Sequence, residues 1–273
     1  MIQSDTNPHI KVNIHEHILE IEIDRREKKN ALTSSMYQAL TNGILHGEAN
    51  PEVHVIFLHA QNDMFTSGND LNEFINSGQA DASAAFNFLK IIANLKKPLV
   101  AAVGGKAIGI GTTLLLHCDF VIASEDAQFQ LPFVNLGLSP EGASSYILPI
   151  IAGTKLSNEL LMLGNYFDSQ TAYRAGIINQ ICPKEELMEN AKEVCRQLAS
   201  KPVLSLQSSK KLLKEHHLNA INETIENEFN EFIVLLQQPA AKEILLAFVE
   251  KRPPNRELFK PISTSKNDHI YYS

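Results

Sequence analysis

Tryptophan is absent from this chain, and cysteine is scarce: three residues, Cys118, Cys182 and Cys195, in 273. An odd count with no C-x-x-C spacing provides neither a disulfide framework nor a zinc knuckle. Cys118 and Cys182 lie in apolar segments, where a thiol serves as a small core side chain. The ten histidines are scattered; His15 and His17 are two apart on an expected strand but have no third ligand, so no metal site is predicted. No 18-residue apolar run occurs, so no segment is expected to span a membrane. No run of six Lys/Arg occurs either, and the formal net charge is -7. That balance excludes nucleic acid as a main partner, because phosphate binding needs a concentrated basic surface. The first residues hold no apolar signal core or Arg-rich amphipathic pattern, and Ile270–Ser273 is not a Ser-Lys-Leu-type address. A cytoplasmic location is the expectation. The phosphate loop G-x-x-x-x-G-K-[ST] and the serine-hydrolase elbow G-x-S-x-G are missing as well.

What is present is a 44% apolar composition, enough for a sizeable core, arranged in two regimes. His17–Asp24 alternates Leu19, Ile21 and Ile23 with polar residues, which predicts a strand with His9–Ile14 as its hairpin partner. A charged loop, Arg25–Asn30, follows, and then a helix from Thr33 to His46 capped by Thr33 or Ser34. Val53–His59, Pro98–Val103, Phe120–Ala123 and Ile177–Ile181 read as further strands. Helical patterns lie between them at Ala82–Leu95, Gly111–His117, Ser144–Ile150 and Lys155–Leu163. Strands alternating with helices define an α/β domain with largely parallel pairing. From Lys184 onward the spacing is helical only: Glu185–Leu198, Val203–His216, Asn222–Gln237 and, past Pro239, Ala240–Lys251, stopped by Pro253–Pro254. The expected division is a core at residues 1–195, a helical region at 196–260 and a loosely ordered tail at 261–273.

Two glycine-bearing segments follow strands, Met64–Leu71 and Gly104–Thr113, and each opens a helix. Glycine lets the backbone approach a ligand and lets N–H groups point out of a turn. Two such turns facing each other would pair N–H donors in the manner of an oxyanion hole; ordinary strand–helix turns are the alternative. The segment Phe129–Gly142 holds a single acid, Glu141, with no other charge between Gln128 and Lys155. Its neighbours Phe129, Leu131, Phe133, Val134, Leu136 and Leu138 are apolar. Glu141 is therefore either a general base or a helix-start residue, with Ser139 as cap and Pro140 in the first helical position; one residue can serve both roles.

Phe65-Thr-Ser-Gly-Asn-Asp-Leu71, Lys97-Pro-Leu-Val-Ala-Ala-Val103, Ala107-Ile-Gly-Ile-Gly111 and Cys118-Asp119 resemble the crotonase (enoyl-CoA hydratase/isomerase) superfamily over roughly residues 10–255. Asp24–Leu32 resembles its coenzyme A loop, and Ala175–Ile178 and Phe248–Arg252 resemble later signatures. The resemblance implies a ββα spiral core with an all-helical C-terminal oligomerisation region that builds a homotrimer or a dimer of trimers. It also implies an acyl-CoA substrate and no separate cofactor. The oxyanion donors implied are the N–H groups of Asn69 and Ile110, the latter replacing a usual glycine. Thr66, Ser67, Gly68, Asp70, Leu71, Gly109 and Ala31 are implied around the acyl-CoA, Asp70 mainly as a brace of its loop. Lys28 and Lys29 are implied phosphate contacts, with Phe248 and Lys251 reaching coenzyme A from a neighbouring subunit. Asn135 is a further candidate for polarising the site.

Members that hydrate a double bond use two glutamates, and the matching positions here hold Thr113 and Phe133. Neither removes a proton at neutral pH. Glu141, in Leu138-Ser-Pro-Glu-Gly-Ala-Ser-Ser145, stands where peroxisomal-type monofunctional Δ3,Δ2-enoyl-CoA isomerases are expected to keep their catalytic glutamate. An isomerase needs one base to move a proton from carbon 2 to carbon 4. The expectation is such an isomerase. A ring-acyl-CoA isomerase of aromatic degradation and a non-catalytic acyl-CoA-binding protein are the alternatives. The related dehalogenase chemistry needs a tryptophan that this chain lacks.

Overall fold

The structure is a computed structural model that describes residues 7–60, 64–77 and 79–260. The expected loosely ordered tail, 261–273, lies outside the described residues.

The chain opens with a hairpin of β1 (Ile10–His15) and β2 (Ile18–Ile23). Its two-residue turn is Glu16–His17, both at positive φ (48° and 65°), which matches the twist of the flanking strands. Leu19, Ile21 and Ile23 of β2 are fully buried, as the alternation predicts. β2 is followed across the sheet by β3 (Val55–Ala60), β5 (Leu99–Val103), β7 (Phe120–Ser124) and β10 (Gln180–Cys182), all parallel. The fifth expected strand is displaced toward its C-terminus, since Ile177 and Ile178 bury themselves in the loop before it. β3 and β5 are buried on both faces. Ile56, Leu58 and Leu99 face the main core, while Val55, Phe57, Val100 and Ala102 face α8 (Leu187–Ala199). This accounts for the unbroken apolar runs of these strands. The main core is closed by α1 (Ser34–Ala49) and α3 (Gln79–Ala93), which pack on one another.

A second, four-stranded sheet was not legible in the sequence: β4 (Met64–Thr66), β6 (Lys106–Ile108), β8 (Gln128–Gln130) and β9 (Tyr166–Asp168). Each strand has three residues, too few to show a period. Yet they complete the expected spiral. β3 leads to β4 and then α2 (Leu71–Ser77), β5 to β6 and α4 (Ile110–Thr113), and β7 to β8 and a 3-10 turn at Val134–Leu136. Each turn thus places one long strand in the large sheet, a short one in the small sheet, and a helical start beyond it.

After α5 (Ser144–Ile151), α6 (Gly153–Asn158) with its π-helical continuation to Leu163, and α7 (Ser169–Arg174), the C-terminal part is helical. α8 runs across the expected boundary at residue 195, and its Leu187, Ala191 and Cys195 pack on the large sheet. The two helices expected at 203–216 and 222–237 are one, α9 (Val203–Leu236, 34 residues). No glycine or proline interrupts the stretch between them, so the hydrogen-bond ladder continues. Pro239 opens α10 (Pro239–Val249), bent by 76° from α9. No single helix among the described residues is long and apolar enough to cross a membrane.

Buried cations tie these layers together. Lys97 Nζ donates to Gly47 O (2.7 Å) and Asn50 O (2.6 Å), satisfying carbonyls at the end of α1. Lys210 of α9, also buried, donates to Lys97 O (2.7 Å) and Asp119 Oδ2 (2.6 Å). Asp119 in turn accepts the Leu99 N–H, and Lys214 lies 3.3 Å from its other oxygen. Removing one partner of a buried pair leaves the other charge uncompensated. Lys210→Met is therefore expected to destabilise the fold by about 3 kcal/mol in urea unfolding, with Lys214 limiting the loss.

Candidate active site

The two glycine turns face one another. Thr66 pairs with Ala107 across β4 and β6. A Cβ on Gly68, at φ +88°, would meet the Ile108 carbonyl oxygen at 2.9 Å, and one on Gly111 would meet Thr66 Cγ2 at 2.5 Å. Both positions thus lack a side chain because backbone or a buried threonine fills the space. Gly109, at φ +57°, faces open space instead. It starts α4, so the Ile110 N–H is a first-turn donor without an intrahelical acceptor. Asn69 bridges to Leu32, but the bonds of that bridge are Leu32 N–H to Gly68 O (2.8 Å) and Asp70 N–H to Leu32 O (2.9 Å). The Asn69 N–H takes no part in that bridge. Among the described residues, neither the Asn69 nor the Ile110 N–H meets an acceptor. The Tyr37 hydroxyl donates to Asn69 Oδ1 at 2.5 Å and fixes that side chain.

The loop at 25–32 lies along this turn. Ser67 N–H donates to Lys29 O (3.1 Å), and Thr66 Oγ1 donates to Asn30 O (2.7 Å). Arg25 Nη1 donates to Asp70 Oδ2 (2.7 Å) and to Ala31 O (2.9 Å). Burial opposes ionisation of Asp70, but the Arg25 guanidinium outweighs it and holds the carboxyl below its ordinary range. Asp70 is thus a brace, with Leu71 beginning α2 behind it. Lys28 and Lys29 are exposed on the outer side of the loop. The structure therefore gathers Lys28, Lys29, Ala31, Thr66–Leu71, Gly109 and Ile110 into one neighbourhood. Phe248 (64% exposed) and Lys251 stand apart, at the end of α10, and neither lines the pocket. Asn135 also stands apart: its Nδ2 donates to Gly164 O (2.9 Å), so it does not polarise the site.

Glu141 and Asn69 line one pocket, walled by α3 and α9 through Phe86, Leu89, Ile225, Phe229 and Phe232. Phe86 and Phe229 stack with ring centres 4.4 Å apart. The helix-start reading of Glu141 does not hold. α5 begins only at Ser144, with Ala143 as its cap, and Ser139, Pro140 and Glu141 belong to the loop before it. Two consecutive left-handed residues, Gly142 (φ 71°) and Ala143 (φ 57°), separate the acid from the helix. A Cβ on Gly142 would press on Thr113 at 3.1 Å.

Burial raises the Glu141 pKa to about 8; the Thr113 hydroxyl, donating to Oε1, lowers it, and the nearby Glu228 carboxyl raises it. A carboxyl poised there exchanges protons readily near neutral pH. The loop itself is held from below. His117 Nε2 donates to Gly142 O (2.8 Å), and burial pushes its pKa down to about 4, so the ring is neutral. Sequence reasoning found the absence of an acid at position 113 but not the hydrogen bond that Thr113 makes instead. It also missed His117, Tyr37 and Glu228. Glu228 left a signal: it falls on the apolar stripe Ile225, Phe229, Phe232, Leu236 of α9, where an acid needs a partner.

The enoyl-CoA hydratase/isomerase family model matches residues 13–257. The chain is 30% identical over 243 residues to enoyl-CoA delta isomerase 2 of Rattus norvegicus, an alignment spanning 86% of this chain and 62% of the rat protein. It is 32% identical over 245 residues to carnitinyl-CoA dehydratase of Escherichia coli strain K12, covering 87% and 94% of the two. It superposes on the crystal structure of an enoyl-CoA hydratase/isomerase from Pseudoalteromonas atlantica T6c with a TM-score of 0.85 and 35% identity, covering 90% of this chain and 99% of that one. The chain belongs to the enoyl-CoA hydratase/isomerase, or crotonase, family and is an enzyme of that class. Both the isomerase and the dehydratase relatives align over most of its length, so the family alone leaves the type of reaction open.

Among the described groups, the hydroxyl of Thr113 is the one interaction that favours the ionised form of Glu141. Thr113→Val is accordingly expected to move the Glu141 pKa above about 8, read by infrared titration of the carboxyl stretch.

Proposed function

We propose that this enzyme is a Δ3,Δ2-enoyl-CoA isomerase in which Glu141 alone carries a proton between two carbons of the acyl chain. One observation supports this above others: Glu141 is the only titratable side chain among the described residues that line the pocket, and the threonine facing it supplies a hydrogen bond where a second acid would stand. In this reading the Glu141 carboxylate removes a proton from carbon 2 of a 3-enoyl thioester. The electron pair moves onto the thioester carbonyl, giving a dienolate whose oxygen accepts from the Asn69 and Ile110 N–H groups. The resulting carboxylic acid returns its proton to carbon 4, and the double bond is left between carbons 2 and 3. No water enters the balance, and no cofactor is needed beyond the coenzyme A of the substrate. Adding water would need a second acid–base group to hold and activate it. Thr66, Ser67, Gly68, Leu71, Gly109 and Ala31 shape the thioester and pantetheine path, with Lys28 and Lys29 at its phosphates.

A cytoplasmic homotrimer or dimer of trimers completes the proposal, with Phe248 and Lys251 meeting a neighbour's coenzyme A. The exposed apolar side chains of Ile150 (54%), Met162 (64%) and Leu163 (57%) support an assembly that covers them.

Purified protein with 3-enoyl-CoA is expected to form conjugated 2-enoyl-CoA, followed by absorbance. Glu141→Gln should lower kcat by about 10³-fold while acyl-CoA binding persists. Because the base acts ionised and its pKa is raised, wild-type activity should climb about tenfold per pH unit and level off above about 8. Wild-type turnover in Glu141→Gln, or robust hydration of 2-enoyl-CoA, would overturn the isomerase reading.

A further inference from the structure

Glu228 is a second carboxylate beneath the site, contributed by the C-terminal half of α9 and only 7% exposed. One of its oxygens accepts the Ala143 N–H (2.6 Å); the other accepts the Ser145 N–H (2.9 Å) and the Ser145 hydroxyl (2.5 Å). All three partners are donors, so the arrangement suits the ionised form, although burial raises its pKa. These donors are the otherwise unsatisfied groups at the start of α5, two and four residues beyond Glu141. The left-handed Ala143, a conformation that costs a residue bearing a Cβ about 1 kcal/mol, is pinned directly by this carboxylate. Glu228 thus does from a distant helix what the Ser139–Pro140 sequence does not do locally.

We propose that Glu228 is a positioning residue for the proton transfer: its ionised carboxylate fixes the Glu141–Ser145 turn and so sets where the Glu141 carboxyl points. The inference rests on the reading of Glu141 as the base. The other charged groups around the pair are engaged elsewhere. His117 is neutral beneath the turn, and Lys214 lies against His117 O and Asp119. Lys90 of α3 pairs with Glu226 at the surface, His217 of α9 meets the Tyr146 hydroxyl of α5, and Arg25 is paired with Asp70. Among these described groups, only Glu228 brings an uncompensated charge to Glu141.

Two variants and steady-state kinetics across pH test this. Glu228→Gln removes the charge and turns an N–H₂ toward one of the three donors. A misplaced base costs about 10²-fold, so kcat is expected to fall by about that factor with KM within about twofold. The acid limb of the pH–rate profile should move to lower pH, because the neighbouring negative charge that disfavours ionisation of Glu141 is gone. Glu228→Asp keeps the charge but withdraws it by one methylene; it should slow turnover while the acid limb stays with wild type. A merely structural role predicts otherwise: both variants would melt at lower temperature and lose active enzyme, with an unchanged limb in each. That result, or wild-type kcat in a folded Glu228→Gln, overturns the inference. If Glu228→Gln fails to fold, Glu228→Asp decides, with turnover counted per folded enzyme and the melting temperature compared with wild type, since a structural role lowers the melting temperature and leaves turnover per folded enzyme unchanged. Slower turnover at unchanged KM and limb supports the assignment, and wild-type turnover overturns it. The Glu141→Gln control separates the two ideas: if that variant is inactive while Glu228→Gln behaves as wild type, only the positioning role is lost.

Discussion

Backbone must come within contact distance of backbone where the Thr66–Asn69 turn meets Ala107–Gly111, and most of the molecule exists to permit that approach. Gly68 sits where any side chain would strike the Ile108 carbonyl, and Gly111 where one would strike Thr66. The short strands β4 and β6 hold the two turns in register, and the Arg25–Leu32 loop laces the outer side of the first. Two N–H groups are left without acceptors as a consequence of this packing, not through any special side chain. That is why an isoleucine is tolerated at position 110: its contribution is a backbone direction, and its side chain is buried at 2% exposure.

Against this fixed backbone the setting of Glu141 depends on what stands at position 113. A carboxylate there would place a second negative charge against Glu141 in an apolar wall, and the two acids would have to share a proton or admit water. A threonine supplies a donor of the same reach with no charge. It offsets part of the desolvation of Glu141 without competing for the proton. The pocket then holds one titratable side chain among its described lining residues. Its walls, built from Phe86, Phe229 and neighbouring aliphatic groups, are apolar.

Legibility in the sequence followed the range of the interactions involved. β2 declared itself because Leu19, Ile21 and Ile23 alternate over six residues, and β3 and β5 because strands buried on both faces are apolar throughout. The glycine turns were legible because a special φ or a close approach demands glycine locally. The small sheet was not, since three residues carry no period. Nor could the sequence show that α5 starts at Ser144. Ser139-Pro140-Glu141 has the grammar of a helix start, but the chain enters through Gly142 and Ala143 and borrows its cap from Glu228, 85 residues away from Ala143. The break expected within α9 was an over-reading: residues 217–221 continue the helix, and Ile221 among them packs against Ala93, Ala143 and Ile225.

That continuity makes α9 a rigid rod about 50 Å long at 1.5 Å per residue. It is clamped near one end by Lys210 and Asp119 and carries Glu228 about three-quarters of the way along. Its first half also bears Leu204 and Leu213, each about four-fifths exposed (81% and 79%). With no glycine or proline between them, those leucines and Glu228 share one uninterrupted hydrogen-bond ladder. The turn holding Glu141 is thus tied to a surface far along the molecule through one helix and one carboxylate.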